Sequence, residues 1–206
     1  EVWSVKLVAF TLDSKYIVAG ISTDEFDITG YVQLLDINGS PQGQPFGDSW
    51  QFALSPNGKY IAVGDANNTI QLWDMKGNRV SPLFRGHENS ITSLAFSPDG
   101  HFIASASQDN TVKLWDTQGN IIGTFLGHQE AIKSVIFSPD GQYIASASHD
   151  GTVKLWPSNW KTALKVACNR LKHHPVLRNP QTDIEKQACE TCRKYAWSKE
   201  DTSVRQ

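Results

Sequence analysis

The chain is short of almost everything that would carry chemistry of its own. Cysteine occurs three times in 206 residues, at Cys168, Cys189 and Cys192, and methionine once, at Met75. With every cysteine near the C-terminal end, no disulfide ladder can staple the preceding part. That usage fits a reducing compartment better than an oxidising one. No apolar run approaches the roughly 18 residues needed to span a bilayer, and no basic-then-apolar leader opens the chain. The expected location is therefore cytoplasmic. There is no G-x-x-x-x-G-K-[ST] loop for phosphate, no G-x-S-x-G elbow, no H-E-x-x-H, and no pair of acids outside the turns. These gaps speak against phosphate-loop nucleotide hydrolysis, hydrolase-type acyl transfer and zinc proteolysis, and no cofactor is expected. Because Met75 is the only methionine, Glu1 is no initiator, and Glu1-Val2-Trp3 falls directly before a predicted strand. The chain reads as the C-terminal piece of a longer protein.

Charge is short in net terms only. The formal total of −2 hides an asymmetry. Residues 1–156 hold nine Lys and Arg against sixteen Asp and Glu, a net of −7, whereas residues 157–206 hold ten against five, a net of +5. The first part is built from repeats. Gly86-His87-Glu88-Asn89-Ser90-Ile91 leads to Phe96-Ser97-Pro98-Asp99-Gly100 and on to Thr111-Val112-Lys113-Leu114-Trp115-Asp116. Each landmark recurs 41 residues later, as Gly127-His128, Phe137-Ser138-Pro139-Asp140-Gly141 and Thr152-Val153-Lys154-Leu155-Trp156. Two weaker copies lie upstream. Leu54-Ser55-Pro56-Asn57-Gly58 leads to Thr69-Ile70-Gln71-Leu72-Trp73-Asp74, and Phe10-Thr11-Leu12-Asp13 leads to Tyr31-Val32-Gln33-Leu34-Leu35-Asp36. The first copy carries Leu35 in place of Trp and a longer middle loop over 23–29.

Within the third copy, alternation and β-branched content predict strands over 91–96, 102–107, 111–115 and 121–126. Ser97-Pro98-Asp99-Gly100 is a turn by chemistry, with Pro presetting φ, Asp bonding nearby backbone and Gly taking the positive φ. Each unit is then a four-stranded antiparallel meander with two apolar faces that need neighbours. A period of about 40–45 residues with Gly-His near its start and Trp-Asp near its end resembles the WD40-repeat family. The resemblance covers residues 1–156, with copies at about 1–37, 44–75, 80–117 and 121–156. It implies an all-β fold: a fragment of a β-propeller with four blade copies in an open arc, the last blade incomplete.

In that family a hydrogen-bond chain links the Gly-His loop, a strand Ser or Thr, a turn Asp and the Trp ring nitrogen. Matched here, the resemblance implies two structural tetrads: His87, Ser105, Asp109 and Trp115, then His128, Ser146, Asp150 and Trp156. Though catalytic in type, such residues satisfy one another and pin loops when they repeat through an array. In the second copy Pro45-Phe46-Gly47-Asp48 replaces Gly-His, and Asn67 and Val63 hold the Asp and Ser positions, so no tetrad is expected. The resemblance also places the Gly-His loops and the tetrad-Asp turns on one rim, so that Glu88, Asn89, Gln108, Gln129 and His149 share a face.

After Trp156 the β signal stops. Trp160 to Leu171 reads as a helix with Trp160, Leu164, Ala167, Cys168 and Leu171 on one stripe. Thr182-Asp183-Ile184-Glu185 matches a capping box opening a second helix, with Ile184, Ala188, Cys192 and Tyr195 along one side. The tail, 157–206, is thus a short C-terminal αα-hairpin. It resembles the C-terminal segment of large bacterial WD-repeat proteins, which often carry a nucleotide-binding signalling or effector module upstream. Cys168, His173 or His174, Cys189 and Cys192 could supply zinc ligands or a redox pair; the plainer reading is that the cysteines pack as small apolar residues. The scattered basic surplus reads as a solvated face and makes nucleic acid an unlikely partner. The expected function is a non-catalytic scaffold for protein partners within a larger bacterial signalling protein. The alternatives are a ligand-sensing propeller that controls an upstream domain of the same polypeptide, and a metal-binding tail.

Overall fold

Strand length is set in this chain by where turn residues interrupt β-branched and aliphatic runs. The computed structural model describes residues 4–23, 29–65, 67–174 and 179–197. The chain forms two compact units, Glu1–Leu155 and Trp156–Gln206. In the first, β1 (Ser4–Phe10), β2 (Tyr16–Ser22), β3 (Gly30–Asp36) and β4 (Pro41–Phe46) make one antiparallel sheet in sequence order. A second sheet comprises β5 (Phe52–Leu54), β6 (Tyr60–Gly64) and β7 (Ile70–Asp74). The third holds β8 (Ile91–Phe96), β9 (Phe102–Ser107), β10 (Val112–Asp116) and β11 (Ile121–Phe125), and the fourth β12 (Ile132–Phe137), β13 (Tyr143–Ser148) and β14 (Val153–Pro157). Among the described residues, four sheets follow one another without closing, and the last has no outer strand.

The recurring turn between first and second strands is closed by side chains. Ser97 Oγ donates to Asp99 Oδ1 at 2.5 Å and accepts from the Phe102 amide at 2.9 Å, while Gly100 takes φ 72°. The same geometry recurs at Ser138, Asp140 and Gly141, and at Ser55, Asn57 and Gly58. In the first blade Thr11 and Asp13 do this work and Ser14 adopts the positive φ of 56°.

Packing between sheets follows the period of two. Val18, Val32, Leu34 and Phe46 of the first blade bury against Phe52, Ile61, Val63 and Trp73 of the second. Ala62, Ile70 and Leu72 do the same against Ile91, Leu94, Ile103 and Trp115 of the third. Between the third and fourth blades, Thr92 Oγ1 donates to the Ile132 carbonyl and the Val135 amide donates to Ser93 Oγ at 3.2 Å, which joins β8 to β12. Each Val, Leu or Ile so buried is worth about 1.5–3 kcal/mol, so these faces dominate the stability of the unit.

The second blade departs from the expected four strands. Its outer segment makes only two isolated bridges, Ile70 with Phe84 and Trp73 with Arg79. Pro82 has no N–H to give, and between the bridges Ser81 accepts from Gln71 Nε2 through its carbonyl at 2.7 Å. β10 begins at Val112, one residue later than predicted.

In the second unit, α1 (Trp160–Leu171) opens on Asn159, whose side chain accepts from the Thr162 amide at 2.9 Å. α2 (Asp183–Tyr195) opens on the capping box, with Thr182 Oγ1 accepting from the Glu185 amide and Glu185 Oε2 from the Thr182 amide. The Trp160 and Tyr195 rings meet edge-on at 5.8 Å, joining the start of α1 to the end of α2. Two expectations are corrected here. The buried face of α2 is Cys189 and Cys192, with Ile184 at 81 % exposure, so the inward stripe is turned by one residue from that predicted. The cysteines also do more than pack: facing helices bring the Cα atoms of Cys168 and Cys192 to 5.4 Å and the pair forms a disulfide, beside which Cys189 is buried.

Two equivalent turns give a test of the packing. Gly39 and Gly119 both bond back to the strand-ending Asp, at φ 83° and 91°. An added Cβ meets nothing within 4 Å at Gly39 but lies 2.5 Å from Phe84 Cδ1 at Gly119. Gly39→Ala should cost about 1–2 kcal/mol, the price of a left-handed alanine. Gly119→Ala should cost clearly more in denaturant unfolding, because Phe84 must also move. Equal costs would show that the Phe84 contact is slack.

Candidate docking rim

The loops before the first strands and the turns after the second strands are tied together by two carboxylates. In the third blade Asp109 Oδ2 meets His87 Nδ1 at 2.7 Å and accepts from the Glu88 amide at 3.0 Å. Its other oxygen accepts from the Thr111 amide at 2.9 Å and the Thr111 hydroxyl at 2.7 Å. A carboxylate only accepts, so Nδ1 carries the proton. His87 Nε2 lies 2.6 Å from Ser105 Oγ, which accepts from Trp115 Nε1 at 2.8 Å. In the fourth blade Asp150 Oδ2 meets His128 Nδ1 at 2.8 Å and accepts from the Gln129 amide at 3.0 Å, and His128 Nε2 lies 2.8 Å from Ser146 Oγ. Trp156 stands on β14 where Trp115 stands on β10, and belongs to the second compact unit.

Burial pushes the Asp109 carboxyl up, yet the hydrogen bonds from His87, Thr111 and the Glu88 amide outweigh it and hold the group well below the ordinary carboxylate range. Asp150 is held down in the same direction, chiefly by the Thr152 hydroxyl, which donates to it at 2.6 Å. The two threonines and Asn110 were not singled out from sequence. The 41-residue repeat of Thr two positions after each Asp was the signal that could have found the former.

The second blade has no such network. Val63 pairs with Gln71 on β7 as Ser105 pairs with Lys113 on β10, and Asn67 bonds to Asp65 instead of a loop. Trp73 Nε1 has no hydrogen-bond partner and is buried. Its ring is held by Phe46 at 5.1 Å and by Arg79, whose guanidinium carbon lies 5.1 Å from the ring centroid.

Glu88, Asn89, Gln108, Gln129 and His149 are all exposed. Their backbones are not loose. The Gln108 amide donates to the Ser90 carbonyl and the His149 amide to the Ala131 carbonyl, so each turn is stitched to the loop of its own blade. Asn110, at φ 66°, donates through Nδ2 to the Gln129 carbonyl at 3.2 Å and ties the third blade's turn to the fourth blade's loop. These bonds fix the backbone of the loops and turns that carry the five residues. In the second unit, Cys168 and Cys192 are taken up by their disulfide, so a tail zinc site with Cys168, His173, Cys189 and Cys192 lacks two of its thiolates in this form.

The family model for the WD domain, G-beta repeat, matches residues 43–74, 78–116 and 119–157. The chain belongs to the WD40 family. Each matched stretch takes in the outer segment of one blade and the first three strands of the next; of the first sheet, which begins with the same meander order, only residues 43–46 fall within them. WD40 repeats are generally non-catalytic and mediate protein–protein interaction. Among the described residues no helix is long and apolar enough to cross a membrane.

Two outcomes test the networks. Asp109→Ala should destabilise by about 1–3 kcal/mol at neutral pH, the cost of leaving buried partners unsatisfied. Because the folded carboxyl is held low, its contribution is complete above an unfolded Asp pKa of about 3.9 and fades as pH falls towards the depressed value. The gap between wild type and variant in thermal unfolding should therefore narrow below about pH 4; a gap independent of pH would remove the carboxylate from the account. Conversely, Val63→Thr offers Trp73 Nε1 an acceptor at the Ser105 position. It should cost less than Val18→Thr, which buries a hydroxyl at a site 0 % exposed in the apolar first junction. Equal or greater cost at Val63 would sink that match.

Proposed function

We propose that the chain is a non-catalytic platform for protein partners and that Glu88, Asn89, Gln108, Gln129 and His149 form its docking rim. The observation that carries this reading is the division of labour in the loops. Asp109 and Asp150 hold the Glu88 and Gln129 amides at 3.0 Å, yet the side chains of both residues remain exposed. A loop whose backbone is fixed by buried groups loses little entropy on binding, and its outward side chains are replaceable without cost to the fold. The net of −7 on residues 1–156 favours a basic or neutral partner, with association that slows as salt rises. The tetrads His87, Ser105, Asp109, Trp115 and His128, Ser146, Asp150, Trp156 are scaffold in this reading and not a reaction centre.

The reading extends to context. The tail's likeness to the ends of bacterial WD-repeat proteins supports a place within a larger signalling protein, with further domains on the same polypeptide. A cytoplasmic location is part of it, and there Cys168–Cys192 would be a bond that opens and closes with redox state.

Affinity capture with the intact protein and with a variant carrying alanine at the five rim positions tests the rim. The intact protein is expected to retain a partner that the variant loses, with recovery falling as salt is raised. Equal recovery from both would move the docking site off this rim.

A further inference from the structure

The interior between α1 and α2 holds little besides cysteine. Of the residues in the two helices only Thr162, Cys168, Cys189 and Cys192 are buried, and the three cysteines form one cluster against which Leu164, Ala196 and Trp197 pack. Helices of 12 and 13 residues are marginal on their own, so their pairing leans on this cluster. Two of its sulfurs are bonded across the helices, Cys168 to Cys192, and the third residue, Cys189, is a thiol in the same layer. A thiol in one cluster with a disulfide is the arrangement from which exchange starts.

α2 offers Cys168 two places to bond. Cys189 and Cys192 stand three positions apart, on one face of the helix and one turn from each other. Where α1 begins, Trp160 meets Tyr195. Cys168 is eight positions further along α1, yet its partner Cys192 is only three positions back along α2. A strictly antiparallel pair would advance equally on both helices, which puts the level of Cys168 at Gln187. Cys189 lies nearer to that level than Cys192 does. The third bond that three cysteines allow, Cys189 to Cys192 within α2, is opposed by the helix itself. Residues three apart on a helix have Cβ atoms about 5–6 Å apart, whereas a disulfide needs about 3.5–4.5 Å. Exchange therefore has one product that leaves α2 intact, and that product keeps α1 attached.

We propose that the three cysteines form a thiol–disulfide exchange site in which Cys189 displaces Cys192 from Cys168. The Cys189 thiolate attacks Sγ of Cys168, and the Cys168–Cys192 bond breaks as the Cys168–Cys189 bond forms. The departing Cys192 thiolate takes up a proton in place of the one that Cys189 lost. One disulfide and one thiol stand on each side, so no oxidant or reductant is consumed. The clasp moves one turn along α2, about 4.5 Å for three residues, and α1 stays tied in either state. Two tied arrangements make the hairpin a two-position element. The step depends neither on the docking rim nor on the compartment that holds the protein.

Disulfide mapping of the whole chain, left at neutral pH without added thiol, reads the two states. Thiols are capped in acid with N-ethylmaleimide and the backbone is cut after Glu190, which separates Cys189 from Cys192. Cys168 should be found joined to each of them, the lesser pairing holding at least about 1 % of the chains, with the cap on the cysteine left out of each bond. Chains reduced and then reoxidised while folded should settle at the same ratio as chains never reduced. Cys192→Ser should carry Cys168–Cys189 as its only bond, and Cys168→Ser should keep Cys189 and Cys192 as thiols. A wild type with the Cys168–Cys192 pairing alone, or two preparations whose ratios stay apart, overturns the proposal. So does a Cys192→Ser chain that forms no bond, or a Cys168→Ser chain that closes Cys189 on Cys192 as readily as the wild type closes its clasp.

Discussion

A sheet of three or four short strands with two apolar faces cannot be stable alone, and this constraint governs the rest of the blade unit. Alternation along a strand sends successive side chains to opposite faces. Ile61 therefore serves the first junction while its neighbour Ala62 serves the second. Every inner blade is held from both sides by residues one position apart in sequence. Stability in such an array is close to a sum of blade and junction terms, which lets individual blades differ without loss of the whole.

The second blade shows how far that tolerance goes. It has neither the Gly-His loop nor the Ser of the hydrogen-bonded network, and the indole N–H of Trp73 is left without a partner. Yet Trp73 packs in the first junction as Trp115 packs in the second, supported by Phe46 and Phe84 respectively. The ring's burial, worth more than one hydrogen bond net, is what the junction needs. The network in the third blade adds the fixing of a loop. That separates two roles that the repeat runs together: Trp joins blades, and the Asp–His–Ser chain disciplines the rim.

Much of this was legible in the sequence for a physical reason. Gly100, Gly141 and Gly58 mark turns that demand positive φ, and β-branched runs between them leave few choices for the strands. The second helix was legible from its capping box at Thr182 and the first from its apolar spacing, while the Asn159 cap of the first emerged only in the structure. What was hidden is what depends on distance between segments far apart in the chain. The weak outer segment of the second blade follows from Pro82 and Ser81, which disturb pairing only once β7 is beside them. The Cys168–Cys192 bond follows from how α1 and α2 face each other, and spacing alone left packing, metal binding and redox pairing open. The link from Asn110 to Gln129 was invisible for the same cause, since it joins neighbouring blades.

The position of the carboxylates explains why a repeat can conserve its frame and still vary its surface. Asp109 and Asp150 act on backbone amides, and a backbone amide is present whatever side chain follows the His. Glu88 and Gln129 occupy the same place in successive blades and differ in charge, with the same 3.0 Å bond beneath them. Rim chemistry is thereby uncoupled from rim geometry. A blade can exchange its outward residue without disturbing His87, Ser105 and Trp115 below, and neighbouring blades can present different groups on a common frame. A catalytic site needs its reactive groups to be those the frame fixes. Here the fixed groups satisfy one another in the interior, and in the proposed docking rim the groups that would meet a partner are those the frame leaves free to differ.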